Sequence, residues 1–183
     1  MSELYKRLDR RLVYEGSILT VYEDTMQIPN GNTASWDFVD HKGAAAVVAV
    51  RDDGKLLMVK QYRNALERET LEIPAGGRDG RQEPFLDCAH RELEEETGYR
   101  CKKEEMEFLI SLRTTVAFCN EQIDVFVARN LEKTSQHLDE DEYLNVVAMD
   151  PGELVEMIYT GKLQDSKTVA AVLAYKAKYL AHS

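Results

Sequence analysis

The chain has 183 residues, 44% of them hydrophobic and 31% charged, with a formal net charge of −10. That length holds one full domain with a small appendage, and that balance excludes a disordered chain. A surface this acidic repels phosphate backbones and argues against nucleic acid as a partner, so an anionic ligand would need a bound cation or clustered arginines to reverse the sign locally. The three cysteines, Cys88, Cys101 and Cys119, are odd in number and form no Cys-x-x-Cys pair. Reduced thiols in a cytoplasmic protein are expected, rather than a disulfide scaffold. No signal peptide is expected from Met1 to Asp9. The longest apolar runs, 44–50 and 169–175, are each about a third of a membrane span, so no membrane association is expected.

Residues 11 to 28 read as strand material, and Pro29-Asn30-Gly31-Asn32 as a turn. Residues 34 to 39 alternate apolar and polar and read as a returning strand. This opening segment, 1–42, is expected to be a small β meander that leans on another surface, the main domain or a second subunit. From Gly43 the pattern changes and a second domain, 43–183, is expected. Ala44 to Val50 is a continuous apolar run of the kind buried on both faces. Asp52-Asp53-Gly54 predicts a hairpin turn, with Lys55 to Gln61 returning. Thr70 to Pro74 predicts a short strand that enters the loop Ala75-Gly76-Gly77-Arg78-Asp79-Gly80. A helix follows, with Pro84 in its first turn, Leu86, Ala89 and Leu93 as its core stripe, and Gly98 in the left-handed position past its end. Strands are expected at 106–113, 122–128 and 143–148, then a short helix from Pro151 and an amphipathic one from Ser166 to Leu180.

Four of the five residues from 92 to 96 are Glu. At about 100° per residue, Glu95 lies about 60° from Glu92 on one side and Glu96 about 40° on the other, so these three share a helix face. Like charges at these spacings destabilise a helix by a few tenths of a kcal/mol per pair, and the C-terminal end of the dipole disfavours anions. Taken alone, such a run is an ordinary solvated face with Arg91 as a local partner. A divalent cation would remove both penalties. Oxygen donors without His or Cys select Mg²⁺, Mn²⁺ or Ca²⁺ over Zn²⁺.

The glycine-rich loop ahead of this helix changes the weight of the run. Gly77, five residues, Glu83, seven residues, then Arg91-Glu92-Leu93-Glu94-Glu95-Glu96-Thr97-Gly98-Tyr99 resembles the Nudix box, Gly-x5-Glu-x7-Arg-Glu-U-x-Glu-Glu-x-Gly-U, where U is bulky and apolar. Every fixed position is met; Tyr99 stands where an aliphatic residue is usual. The stretches Val59–Arg63, Leu71–Gly76, Leu138–Glu142 and Gly161–Thr168 are similar to the ADP-ribose pyrophosphatase and nucleoside diphosphate sugar hydrolase branch of that family.

The resemblance implies an α/β/α sandwich around a mixed β-sheet, with an N-terminal antiparallel β meander that helps to form a homodimer. It implies divalent-metal-dependent hydrolysis of a nucleoside diphosphate sugar such as ADP-ribose, ADP-glucose or GDP-mannose. It also implies that Glu92, Glu95 and Glu96 hold Mg²⁺ or Mn²⁺, helped by the backbone carbonyl of Gly76 or Ala75, with Glu96 also counted in the catalytic machinery. Arg91 would orient the glutamates. The base would come from the acidic loop His137 to Glu142, with Glu140 as base and Glu142 as auxiliary base or metal-shell ligand. Arg63 would clamp phosphate, assisted by Gln61, and Trp36 and Phe118 would meet the nucleotide. Residues 114–121 lack the proline usual in members specific for ADP-ribose, which favours a broader nucleotide-sugar hydrolase. The rival readings are a Nudix hydrolase of dinucleoside polyphosphates or nucleoside triphosphates, and a nucleotide-sensing module that does not cleave.

Overall fold

The structure is a computed structural model that describes residues 4–138 and 143–180. The chain divides into two compact units: one runs to Gly43 and takes in Arg113–Gln122, and the other comprises Ala44–Leu112 and the chain from Ile123 onward.

The first unit is built on three antiparallel strands, β1 (Lys6–Glu15), β2 (Thr20–Gln27) and β3 (Thr33–Asp40). β1 starts several residues earlier than the apolar pattern suggests. Its polar start pairs because Arg10 donates from Nε and Nη2 to Asp24, each at 2.6 Å, and lies over the Phe38 ring at 4.1 Å. The register sets Arg10, Asp24 and Trp36 side by side, and Leu12, Tyr22 and Phe38 next to them on the same face. Leu12, Val13, Tyr14, Ile18 and Trp36 are all exposed. The 113–122 segment, which the sequence places inside the second domain, joins this unit along β3. Val39 N–H donates to Phe118 O at 2.7 Å and Asn120 N–H to Val39 O at 3.2 Å.

The second unit centres on a mixed sheet. β4 (Ala44–Val50) pairs antiparallel with β5 (Leu56–Arg63) and β7 (Ala75–Gly77), and parallel with β10 (Gln122–Ala128). β6 (Arg68–Glu72) and β12 (Asn145–Met149) pair with β5, and β9 (Glu107–Arg113) completes the order beyond β10. The short β8 (Tyr99–Arg100) and β11 (Glu132–Lys133) form a separate ribbon.

Every residue of β4 is buried, as its unbroken apolar run requires. Its alternating side chains serve two cores. Ala45, Val47 and Ala49 cluster with Cys88, Ala89 and Leu93 of helix α1 (Phe85–Thr97). Ala44, Ala46, Val48 and Val50 cluster with Leu154 and Val155 of α2 (Pro151–Tyr159) and with Ala171, Val172 and Tyr175 of α3 (Ser166–Tyr175). Helices on both faces of one mixed sheet make an α/β/α sandwich. Each fully buried Val or Leu contributes roughly 1.5–3 kcal/mol, so this double-sided strand anchors the unit.

The helix ends follow local chemistry. Asp150 caps α2 by accepting from Gly152 N–H and Glu153 N–H, and Asp165 caps α3 by accepting from Thr168 N–H. Pro84 stands one place ahead of α1 rather than in its first turn. Its ψ of 141° is extended, and its carbonyl accepts from Asp87 N–H and Cys88 N–H. Gly98 ends α1 at a φ of 66°, where an L side chain is strained. A Cβ there would also press on the backbone of Ser135 and Gln136. α3 continues as a π-helical turn from Lys176 to Leu180. Among the described residues no helix is long and apolar enough to cross a membrane.

Candidate active site

α1 lies under β7 and the glycine-rich loop, and its acidic face meets that loop. Glu92 and Glu96 are buried, while the Glu95 side chain is 39% exposed. Gly76, Gly77, Asp79, Arg91, Glu92, Glu95 and His137 line one pocket of about 210 Å³. Gly76 is required by close approach, because a Cβ there would fall inside the Glu92 carboxylate. Gly76→Ala should therefore push Glu92 aside with the fold retained, and if Glu92 holds a divalent cation, cation affinity should fall about tenfold or more, since groups that support a metal ligand typically carry 10- to 100-fold in affinity. Calorimetric titration with Mn²⁺ checks it; unchanged affinity would remove Glu92 from the cation's shell.

Arg91 organises the pocket. Its Nη1 donates to Glu92 Oε1 at 2.7 Å and to Glu95 Oε2 at 2.8 Å. Its Nη2 donates to the Gly77 carbonyl at 3.0 Å, and its Nε reaches Glu83 Oε1 at 3.3 Å. Burial works against the Arg91 charge, but hydrogen bonds from Arg91 to Glu83 and Glu95 and the field of Glu92 outweigh it and raise its pKa. Glu83 is likewise lowered: its burial is outweighed by the Asp79 N–H and by Arg91. The guanidinium thus holds carboxylates together that would otherwise repel.

Glu96 does not line the pocket. Its Oε2 accepts from Ala75 N–H at 2.9 Å and ties the helix to β7. The Cys88 thiol lies 3.5 Å from the Gly76 carbonyl, and burial pushes it up to about 12, so it stays protonated and unreactive. Behind the C-terminal turn of α1, Thr134 N–H donates to Gly98 O at 2.7 Å and His137 N–H to Glu95 O at 2.9 Å. The Gln136 amide donates to Glu96 O at 2.5 Å.

The remaining expected residues are not among those that line this pocket. Arg63 ends β5 with Nε and Nη2 on Glu72, each at 2.7 Å. Gln61 is half-buried on β5 opposite Thr70. Trp36 and Phe118 belong to the first unit; both are exposed, and Trp36 lies 6.0 Å from the Tyr5 ring. Glu140 and Glu142 lie outside the described residues. Asp79 and His137 in the pocket wall, and Glu72 and Lys167 behind Arg63, are not picked out by the sequence pattern. Asp79 had a signal, its place two residues past Gly77. His137 and Glu72 fall within stretches already singled out, but nothing in the spacing marks either one.

Among the described residues no three His, Cys, Asp or Glu side chains stand grouped as a metal shell. The donor set nevertheless suits a hard divalent cation. It offers carboxylate and carbonyl oxygens, a polar pocket and a glycine whose missing Cβ makes room for a carboxylate.

The domain is a mixed sheet sandwiched between helices, with a glycine loop folded over a glutamate-bearing helix. The chain belongs to the Nudix family: the family's NUDIX domain model matches residues 40–172. It is 40% identical over 169 residues to the methanol dehydrogenase activator of Bacillus methanolicus, covering 91% of this chain and 90% of that one. It is 36% identical over 169 residues to the ADP-ribose pyrophosphatase of Bacillus subtilis, with the same coverage. A crystal structure of an ADP compounds hydrolase superposes with a TM-score of 0.85 at 20% identity, covering 99% of this chain and 97% of that one, and shares its fold.

Proposed function

We propose that this chain hydrolyses the diphosphate linkage of nucleoside diphosphate sugars, of the ADP-ribose, ADP-glucose and GDP-mannose type, to a nucleoside monophosphate and a sugar phosphate. The observation that carries this reading is the convergence of Glu92, Glu95 and Gly76 on one pocket, with Arg91 holding the carboxylates in place. The likeness to the Bacillus subtilis ADP-ribose pyrophosphatase supports the substrate class.

Nudix hydrolases are in general divalent-metal dependent. Glu92, Glu95 and Glu96, with the carbonyl of Gly76 or Ala75, would hold Mg²⁺, or Mn²⁺ in its place. A cation there supplies charge neutralisation on the diphosphate and makes a bound water more acidic. Arg91 orients the glutamates. Glu140 accepts the proton of the attacking water, with Glu142 as auxiliary. Arg63 takes a phosphate oxygen and Gln61 assists it; Trp36 stacks on the nucleobase, a contact tolerant of base identity, and Phe118 contributes to substrate binding. The exposed apolar side chains of the β1–β3 meander support a homodimer through that unit, and the reduced cysteines support a cytoplasmic enzyme.

The test is a panel of ADP-ribose, ADP-glucose and GDP-mannose with Mg²⁺, with the products identified. Release of a nucleoside monophosphate and a sugar phosphate is expected. Pyrophosphate release from a nucleoside triphosphate would indicate the rival hydrolase, and tight binding without turnover a sensing module. In the same assay Glu140→Gln should lower kcat about 10²-fold or more while cation affinity holds; near-normal turnover removes Glu140 as the base.

A further inference from the structure

The core of the second unit holds a carboxylate that the reaction above does not use. Glu72 ends β6 and is 2% exposed. Its Oε1 accepts from Arg63 Nε at 2.7 Å and from Thr70 Oγ1 at 2.6 Å. Its Oε2 accepts from Arg63 Nη2 at 2.7 Å and from Lys167 Nζ. Lys167 is itself buried and also donates to Asp165 Oδ2 at 3.0 Å. Burial pushes the Glu72 pKa up, but hydrogen bonds from Arg63, Lys167 and Thr70 prevail and hold it at about 2.

Such a cluster is an expensive way to fill a core. Well-packed apolar side chains commonly stabilise as well or better than buried ion pairs. It is also a poor way to attract an anion, because two carboxylates, Glu72 and Asp165, cancel the charges of Arg63 and Lys167. What the cluster does provide is orientation. Both oxygens of Glu72 grip one edge of the Arg63 guanidinium, while the Arg63 side chain stays 43% exposed. The chain just past Glu72 is held by three elements in turn, α3, β4 and the glutamate helix α1. Ile73 N–H donates to Thr168 Oγ1, Val47 N–H to Pro74 O, and Ala75 N–H to Glu96 Oε2, each at 2.9 Å.

We propose that Glu72, backed by Lys167, is a positioning residue that fixes the Arg63 guanidinium in one orientation to receive a phosphate oxygen of the diphosphate substrate. This rests on the hydrolase reading above. A pre-set guanidinium loses little freedom when the anion arrives, so the benefit appears in binding.

The experiment separates orientation from charge. Glu72→Gln removes a negative charge beside Arg63. If Arg63 worked by charge alone, anion binding would tighten; if Glu72 positions it, binding weakens. Titration of the full chain with inorganic pyrophosphate in Mg²⁺ should show about tenfold weaker binding for Glu72→Gln, and ADP-ribose kinetics a KM raised about tenfold with kcat within about threefold. In an Arg63→Lys background the same substitution should change neither value by more than about twofold, because the effect passes through Arg63. Tighter or unchanged pyrophosphate binding, or an equal loss in the Arg63→Lys background, overturns the proposal. So does a wild-type chain that does not bind pyrophosphate. If Glu72→Gln does not fold, Thr70→Val, which removes one donor to Glu72 Oε1, should weaken pyrophosphate about threefold; no change overturns it. A wild-type chain that binds pyrophosphate but cleaves no nucleotide sugar defeats the hydrolase reading, and the binding arm still decides the role of Glu72.

Discussion

Glu96→Gln should lower kcat for ADP-ribose by about a thousandfold, several kcal/mol of transition-state stabilisation. Glu96 is 3% exposed and accepts from Ala75 N–H through Oε2. Glutamine has the same shape and keeps an oxygen for that N–H, so β7 stays docked on α1 and the fold is retained. The substitution removes the charge from the helix face that also carries Glu92 and turns one acceptor oxygen into a donor. If that charge helps to hold the divalent cation, as proposed, cation affinity should fall together with turnover. Steady-state kinetics and a Mn²⁺ titration on the same preparation read both. Normal turnover with normal cation affinity would reduce Glu96 to a structural tether for the loop.

Arg91→Met should destabilise the chain by roughly 2 kcal/mol, a value below that for fully buried pairs because Arg91 is partly exposed. For a chain of this size that is a fall in Tm of roughly 4–8 °C. The side chain bridges Glu83, Glu92, Glu95 and the Gly77 carbonyl. Without it, Glu92 and Glu95 face each other one turn apart with Glu92 buried. A cation bound by those carboxylates would replace the lost positive charge, and a ligand that binds only the folded state raises stability by mass action. The Tm deficit should therefore be large in EDTA and should shrink as Mg²⁺ is added, more than the wild-type Tm responds. Differential scanning calorimetry in both conditions measures it. A deficit that Mg²⁺ leaves unchanged would mean that no cation replaces the guanidinium there.

Much of the fold was legible because single residues carried local meaning. The unbroken Ala44–Val50 run marked a strand buried on both faces, and its alternate side chains do serve two helix layers. The spacing of the glutamates placed three of them on one helix face, and Gly98 marked the end of that helix. The start of β1 was not legible. Lys6 to Arg10 lies ahead of the strand material read from residue 11, and it pairs as a strand through an arginine whose carboxylate and aromatic partners lie on β2 and β3.

The site was legible where its chemistry is local and hidden where it is tertiary. Arg91 lies one and four residues from its partners Glu92 and Glu95; the run itself marked it as a local partner, and the family resemblance implied that it orients them. Arg63 was read as a phosphate clamp without its partner. Glu72 looks like any alternating strand residue, and the lysine that completes its shell is 95 positions away. Cys88 was absent from the expected core stripe, yet it is fully buried between the helix and the glycine loop. The attachment of 113–122 to β3 left no sequence mark, because backbone groups make two of its hydrogen bonds and any residue supplies those.

A divalent cation seated on the glutamate helix is tested most directly by an anomalous difference map from a crystal of this protein soaked in Mn²⁺. A peak is expected in the pocket bounded by Glu92, Glu95 and Gly76, within bonding distance of carboxylate oxygen. A protein that hydrolyses ADP-ribose and yet shows no peak there, with those oxygens still held by Arg91, would contradict the cation's role.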